Sequence, residues 1–231
     1  MRHLIKLELK KGKLFSYIGG SLLAYGILAG FLMLIYMVEG PSQEEEVFRD
    51  YGEMLLLIDT LVRATFIIYA SALISRSIIG EFRDKTMALL FTYPVSRKKI
   101  IFAKLIIVFV WTFANIMIAN ALIGGLFLAV NSVTGYVDDT VTTTILLQHG
   151  AHVLTHGIAA AGMSLLPLAV GMRKKSGTAT VISSIFIVMI VCSNNMGFSL
   201  SSIIAIPLSL GALGILLTYL SFRNIDRVDV V

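Results

Sequence analysis

Asp59 and Arg63 stand inside an otherwise apolar run, Met54 to Ser75. Four residues apart with the acid first, they have the favourable order for an ion pair on one helix face. Counted at about 1.5 Å per residue from Met54, Arg63 would lie some 13 Å into a spanning helix. A charge near mid-bilayer costs a few kcal/mol, so such residues face a bundle interior or a water-filled cavity. The pair can therefore serve as a self-neutralised packing element or line a water-filled cavity. His149, His152 and His156 form a second constellation, beginning beside Gln148. On a helix their spacing groups the three imidazoles within about 60° of one another. Imidazoles bind zinc or copper and respond to pH. On a straight helix, however, His149 and His156 sit about 10 Å apart along the axis, too far to share one ion unaided. Polar packing against neighbouring helices is the simpler use of that face.

Other spellings of catalysis fail on context. Glu44, Glu45 and Arg49 read EExxxR, and His152 with His156 reads HxxxH, pieces similar to those of glutamate-type membrane proteases. The EExxxR lies in a Pro- and Gly-flanked loop rather than in a spanning run, and no FxxxH joins the two. No HExxH or GxxxxGK[ST] occurs. The basic stretch from Gly171 to Gly177, GMRKKSG, has neither P-loop spacing nor a preceding strand. The chain therefore has no ATP site of its own. A lone Cys192 in an apolar run cannot form an internal disulfide or a CxxC site.

The elements that must position these residues are set by composition. The 231 residues are 57% hydrophobic and 14% charged, with mean hydropathy +0.87. Soluble domains carry about 25% charged residues, so lipid must solvate much of this surface. A spanning helix needs about 20 mostly apolar residues, and six runs are expected: 14–38, 54–75, 100–130, 145–170, 177–193 and 200–222. The third exceeds the bilayer, so its Lys104 end starts at the cytoplasm or snorkels to it. Pro167 falls near the end of the fourth, and Pro207 is expected to kink the sixth. Together they predict an all-α membrane protein folded as one transmembrane domain over 1–231.

The net charge of +5 resolves by placement. With Lys104 at the start of the third run counted, seventeen of the 19 Lys and Arg lie before the first run, between the second and third, between the fourth and fifth, or after the sixth. By the positive-inside rule both termini are cytoplasmic, which suits an even number of crossings. Glu39, Glu44, Glu45, Glu46, Asp50 and Glu53 gather in the first outer loop. The basic excess is thus a topology signal, and no nucleic-acid partner is expected. Residues 1–13 carry Arg2, Lys6, Lys10 and Lys13 on one stripe and predict an interfacial amphipathic helix.

The segment from Arg76 to Lys99, RSIIGEFRDKTMALLFTYPVSRKK, is the most informative. Helical character runs from Glu81 to Phe91, Pro94 ends it, and Ser96 is placed to cap the next helix. A short amphipathic helix between two spans can rest on lipid or seat in a groove of a partner. The order Glu81, Thr86, Leu90, Pro94, Val95, Ser96, Arg97 and then Lys104 resembles the signature between the second and third helices of ABC type-2 exporter permeases. Lys85 departs from it, standing where that family often has Gly before Thr. The likeness extends over nearly the whole chain, from the basic N-terminal helix through six spans to a charged C-terminal stub.

The resemblance implies that Glu81, Phe82, Arg83, Thr86, Leu90, Pro94, Ser96 and Arg97 belong to a coupling helix seated in an ABC ATPase subunit. It implies that ATP and Mg are bound by that subunit rather than by this chain, and that a second permease copy or a paralogue completes a dimer in the cell membrane. Asp59 and Arg63, in the second span, would face the central pathway. Small permeases of this kind are similar to exporters of antimicrobial or lantibiotic-like peptides, so amphipathic peptides or another hydrophobic cargo are expected. The competing expectation is an ion-coupled secondary carrier built on Asp59 and Arg63; the intramembrane protease ranks behind it.

Overall fold

The computed structural model describes residues 14–39, 50–83, 97–135, 142–192, 194–195, 198–199 and 204–222. The expected N-terminal interfacial helix (1–13) and, within the coupling segment, Thr86, Leu90, Pro94 and Ser96 lie outside the described residues. In chain order the elements are α1 (Leu14–Glu39), α2 (Tyr51–Ile74), a π-helical segment (Ser75–Ile79), α3 (Gly80–Arg83), α4 (Arg97–Thr134), α5 (Thr143–Met163), α6 (Leu166–Lys174), α7 (Gly177–Val191), β1 (Asn194–Asn195), β2 (Phe198–Ser199) and α8 (Ala205–Phe222). The two-residue strands pair antiparallel, Asn194 with Ser199 and Asn195 with Phe198. Otherwise the described chain is helical.

Four stretches are long and apolar enough to cross a membrane: Tyr17–Val38, Tyr51–Ile79, Lys99–Thr134 and Thr143–Lys174. The last two expected spans are shorter, α7 with 15 residues and α8 with 18. The helix of the sixth run starts later than expected, at Ala205, after the β1–β2 ladder. Pro207 then falls in the first turn of α8, where a missing N–H costs nothing, and so does not kink the helix interior. The fourth run is broken. Pro167 cannot donate to the carbonyl of Met163 and its ring crowds that carbonyl, so α5 stops at Met163 and α6 begins with Pro167 in its first turn.

α2 is the axis of the bundle. Val62, Phe66, Ile67 and Ala70 are fully buried on it, and it packs against α4, α5 and α7. Asp50 caps its N-terminus, Oδ1 accepting from the Glu53 N–H at 2.7 Å. α1 is peripheral. Leu22, Leu23, Ile27, Leu34 and Met37 point away from the bundle, each about 60% exposed, an apolar stripe that only lipid or another protein can cover. Tyrosine hydroxyls fasten its other face. Tyr25 donates to Asn115 Oδ1 at 2.6 Å and Tyr36 to Asn131 Oδ1 at 2.7 Å, while Asn131 Nδ2 donates to Tyr51 at 2.7 Å.

α5 and α8 meet backbone to backbone. A Cβ on Gly162 would stand 2.7 Å from the Gly211 carbonyl oxygen, and one on Gly211 would stand 2.8 Å from that of Ala159. Small residues allow this approach, which replaces absent hydrophobic driving force between helices in lipid with close dispersion contact. Replacing Gly162 with leucine is therefore expected to cost about 1–3 kcal/mol or more through overpacking, lowering the thermal midpoint of the detergent-solubilised chain by several degrees. Gly26→Leu, where nothing lies within 4 Å of an added Cβ, should leave that midpoint unchanged.

Candidate functional site

The helical spacing of Asp59 and Arg63 brings their side chains together on α2, at 0% and 3% exposure. Arg63 Nε lies 2.8 Å from Asp59 Oδ2. The N–H is not aligned on that oxygen, so the contact is an ion pair rather than a linear hydrogen bond. Neighbouring groups take up the remaining polar capacity. From α4, Asn120 Nδ2 donates to Asp59 Oδ1 at 3.2 Å and to the Ile116 carbonyl at 3.0 Å. Thr60 Oγ1 accepts from Arg63 Nη2 at 3.4 Å.

α5 contributes two of the three histidines. Arg63 Nη1 lies 3.1 Å from His156 Nδ1. A guanidinium can only donate, so Nδ1 is the acceptor and the ring carries its hydrogen on Nε2. That buried Nε2 has no hydrogen-bond partner. His152 stacks on His156 with ring centres 3.9 Å apart and planes 24° from parallel, and its Nε2 sits 3.5 Å from Asp59 Oδ2. His149 lies farther toward the start of α5. Together with His152, Asp50, Gly52, Leu56, Ile145 and Gln148 it lines a cleft of about 280 Å³. His152 is thus shared between the cleft and the buried pair.

The imidazole face is engaged inside the bundle. The rings of His152 and His156 lie one upon the other, and one nitrogen of His156 is committed to a cation. Among the described residues no group of three His, Cys, Asp or Glu is placed to hold a metal ion. Asn120 is a member of the cluster that the sequence reading does not single out, although an amide within the apolar run 100–130 is a visible signal. Asn115 and Asn131, in the same helix, also bond across helices. Polar side chains at intramembrane positions mark where helices are tied, because an unpaired one costs more there than in water.

The second assembly of expected site residues lies at the opposite end of α2. Glu81, on α3, and Lys104, on α4, open and close the sequence signature, and they form an ion pair at 2.5 Å. Lys104 Nζ also donates to the Ser77 carbonyl at 2.8 Å. Phe82 and Arg83 complete α3, and Arg97 opens α4 immediately after Ser96. Glu81 and Lys104, twenty-three positions apart in sequence, are therefore held together, joining α3 to α4.

These features define a multi-pass α-helical membrane protein with a charged intramembrane cluster and an ion pair that joins α3 to α4 toward one end. Residues 4–206 match the family described as ABC-2 family transporter protein, and the chain belongs to that family. It is 41% identical to YcbO, an uncharacterized protein of Bacillus subtilis (strain 168), across 98% of this chain and 99% of the relative. No solved structure matches it. Membership makes the chain a membrane permease subunit of an ABC transporter, a class that works in the lipid bilayer with an ABC ATPase.

The buried pair gives a direct test. Removing one member strands the other, at a cost of about 3–5 kcal/mol. Asp59→Asn alone or Arg63→Gln alone should therefore lower the thermal midpoint more than the two changes together. Unfolding followed through the fluorescence of the single tryptophan, Trp111, measures all three variants.

Proposed function

We propose that this chain is the permease subunit of an ATP-driven exporter that moves amphipathic peptides or another hydrophobic cargo outward. Both termini and the 84–96 excursion face the cytoplasm in this reading, and the Asp50–His149 end faces outside. The observation that carries it is the clamp between Glu81 and Lys104 on an unbroken rod. α2, the π segment and α3 run without a gap from Tyr51 to Arg83, so a force applied beyond Arg83 enters the helix that carries Asp59 and Arg63. An ATPase seated on the Glu81–Arg97 excursion would act on this rod and on α4 together.

Phe82, Arg83, Thr86, Leu90, Pro94, Ser96 and Arg97 are proposed, with Glu81, as the contact for that subunit. ATP and Mg belong to the partner, and a second copy or paralogue of this chain would complete the transporter around a central path. Asp59 and Arg63 act from behind the wall of that path. They are buried within a single chain, and Asp59 meets the cleft-lining His152. α1, α7 and α8 expose large apolar side chains, and no charged residue occurs within α7 or α8. Those surfaces favour cargo that partitions into lipid and support a hydrophobic rather than an ionic route. The ion-coupled carrier has less support, since each charge of the pair is already matched by the other.

Docking is tested by co-purification with the ATPase subunit. Glu81→Gln combined with Arg97→Gln should weaken association by about tenfold, the equivalent of about 1.4 kcal/mol, a loss that truncating charged contacts readily produces. Association that withstands both changes would remove the docking assignment. Asp59→Asn with Arg63→Gln should spare association and alter transport; unchanged transport would leave the pair a packing element alone.

A further inference from the structure

The π-helical segment Ser75–Ile79 is not used by the permease reading. In it the Gly80 N–H bonds back to the Ser75 carbonyl, a five-residue step in place of the α-helical four. Single π turns inside α-helices are uncommon and concentrate at functional sites, because they hold one extra residue at a cost in hydrogen bonding. Here three neighbours hold it. Lys104 Nζ takes the Ser77 carbonyl while also binding Glu81. On the opposite side the segment rests in two glycine notches of the corner between α6 and α7. A Cβ on Gly177 would collide with Ser75 Oγ, and one on Gly171 with Ile79 Cδ1. Ile78 and Ile79 are buried at 0% and 1% exposure.

The corner is itself sharply built. Lys175 ends α6 in the left-handed conformation, φ 48°, and Ser176 Oγ accepts from the Ala179 N–H to start α7. Any change of register in the π segment must therefore move α6 and α7. Passing the extra residue along the helix turns the residues it passes by about 100° and shifts them by about 1.5 Å along the axis. That displaces Ser75 and Ile79 from notches with no spare room.

We propose that Ser75–Ile79 is the joint at which movement of α3 becomes movement of the α6–α7 corner, with Lys104 as the positioning residue that holds its register. The joint rests on the coupling role proposed for the Glu81–Arg97 excursion. Gly177, and Gly171 where Ile79 shares the space with Thr180, are the seats that couple it to the corner. The clamp on Glu81 and the grip on Ser77 are then one device, since a single ammonium holds the entry to the excursion and the joint beside it.

The test uses the full chain with its ATPase subunit in lipid nanodiscs. Spin labels are placed on Lys174→Cys and Val133→Cys in a Cys192→Ser background, two exposed positions on the corner and on α4. The wild-type background should show a nucleotide-dependent change in the label distance. Deleting Arg76 removes one residue from the π turn and restores an α-helical register without rotating the chain beyond it. This variant should stay folded and keep its ATPase subunit, yet lose the distance change. Lys104→Met leaves the π turn but frees it, and should broaden the distance distribution before nucleotide is added. A deletion variant that still responds like the wild type overturns the joint, as does a wild-type corner that does not move. If the deletion fails to fold, the Lys104→Met distribution decides, and a wild-type width overturns the proposal. Failure of the coupling role is separately visible, as absence of the ATPase subunit from the wild-type complex before any nucleotide is added.

Discussion

A charge or an amide inside hydrocarbon has no water to fall back on, and that constraint organises this bundle. Asp59 and Arg63 cancel each other on α2, but neither is satisfied by the other alone. Asn120 reaches the carboxylate from α4 and His156 reaches the guanidinium from α5. The cluster therefore fixes three helices in rotation and in depth at one level. Apolar packing cannot do this as sharply, because lipid tails solvate leucine as well as a neighbouring helix does. The same logic recurs nearer one end of the bundle, where Tyr36, Tyr51 and Asn131 tie α1, α2 and α4. At the other end it recurs in the joining of α3 to α4 through Glu81 and Lys104.

Two kinds of helix contact divide the labour. Around α2 the contacts are polar and specific, each readable as a donor and an acceptor. Between α5 and α8 they are steric, glycine against glycine, and leave no tolerance for an added methyl group. Polar ties permit small rotations, since hydrogen bonds tolerate some bending. Backbone-to-backbone contact does not. α5 and α8 thus behave as one solid block, to which the buried cluster ties α2 and α4.

Much of this is legible in the sequence, for definite physical causes. The spans are visible because lipid demands long apolar runs. The Asp59–Arg63 pair is visible because opposite charges four residues apart in such a run lie on one helix face and neutralise each other there. Pro167 is plain to see, but its effect, a break after Met163, depends on the helix register. The three histidines have the spacing of a shared face, yet nothing local reveals that His156 meets a guanidinium brought from another helix. Asn120 escapes notice because an isolated amide has no spacing to betray its partner. The π turn is hidden too: the stretch from Ser75 to Ile79 carries no residue type that distinguishes a five-residue from a four-residue repeat. Of the coupling signature, Glu81 and Lys104 acquire a geometric meaning, while Thr86, Leu90, Pro94 and Ser96 fall outside the described residues.

The brevity of the last two helices has a consequence for the membrane itself. At about 1.5 Å per residue, 15 and 18 residues give rods of roughly 22 and 27 Å, shorter than a hydrocarbon layer of about 30 Å. Lipid beside α7 must compress to meet them or draw the flanking polar residues inward, at fractions of a kcal/mol per Å. Headgroups from the two leaflets then come closer together on that flank than elsewhere around the protein. A bilayer crossed by α7 would be thinnest there, where the chain offers a short apolar wall.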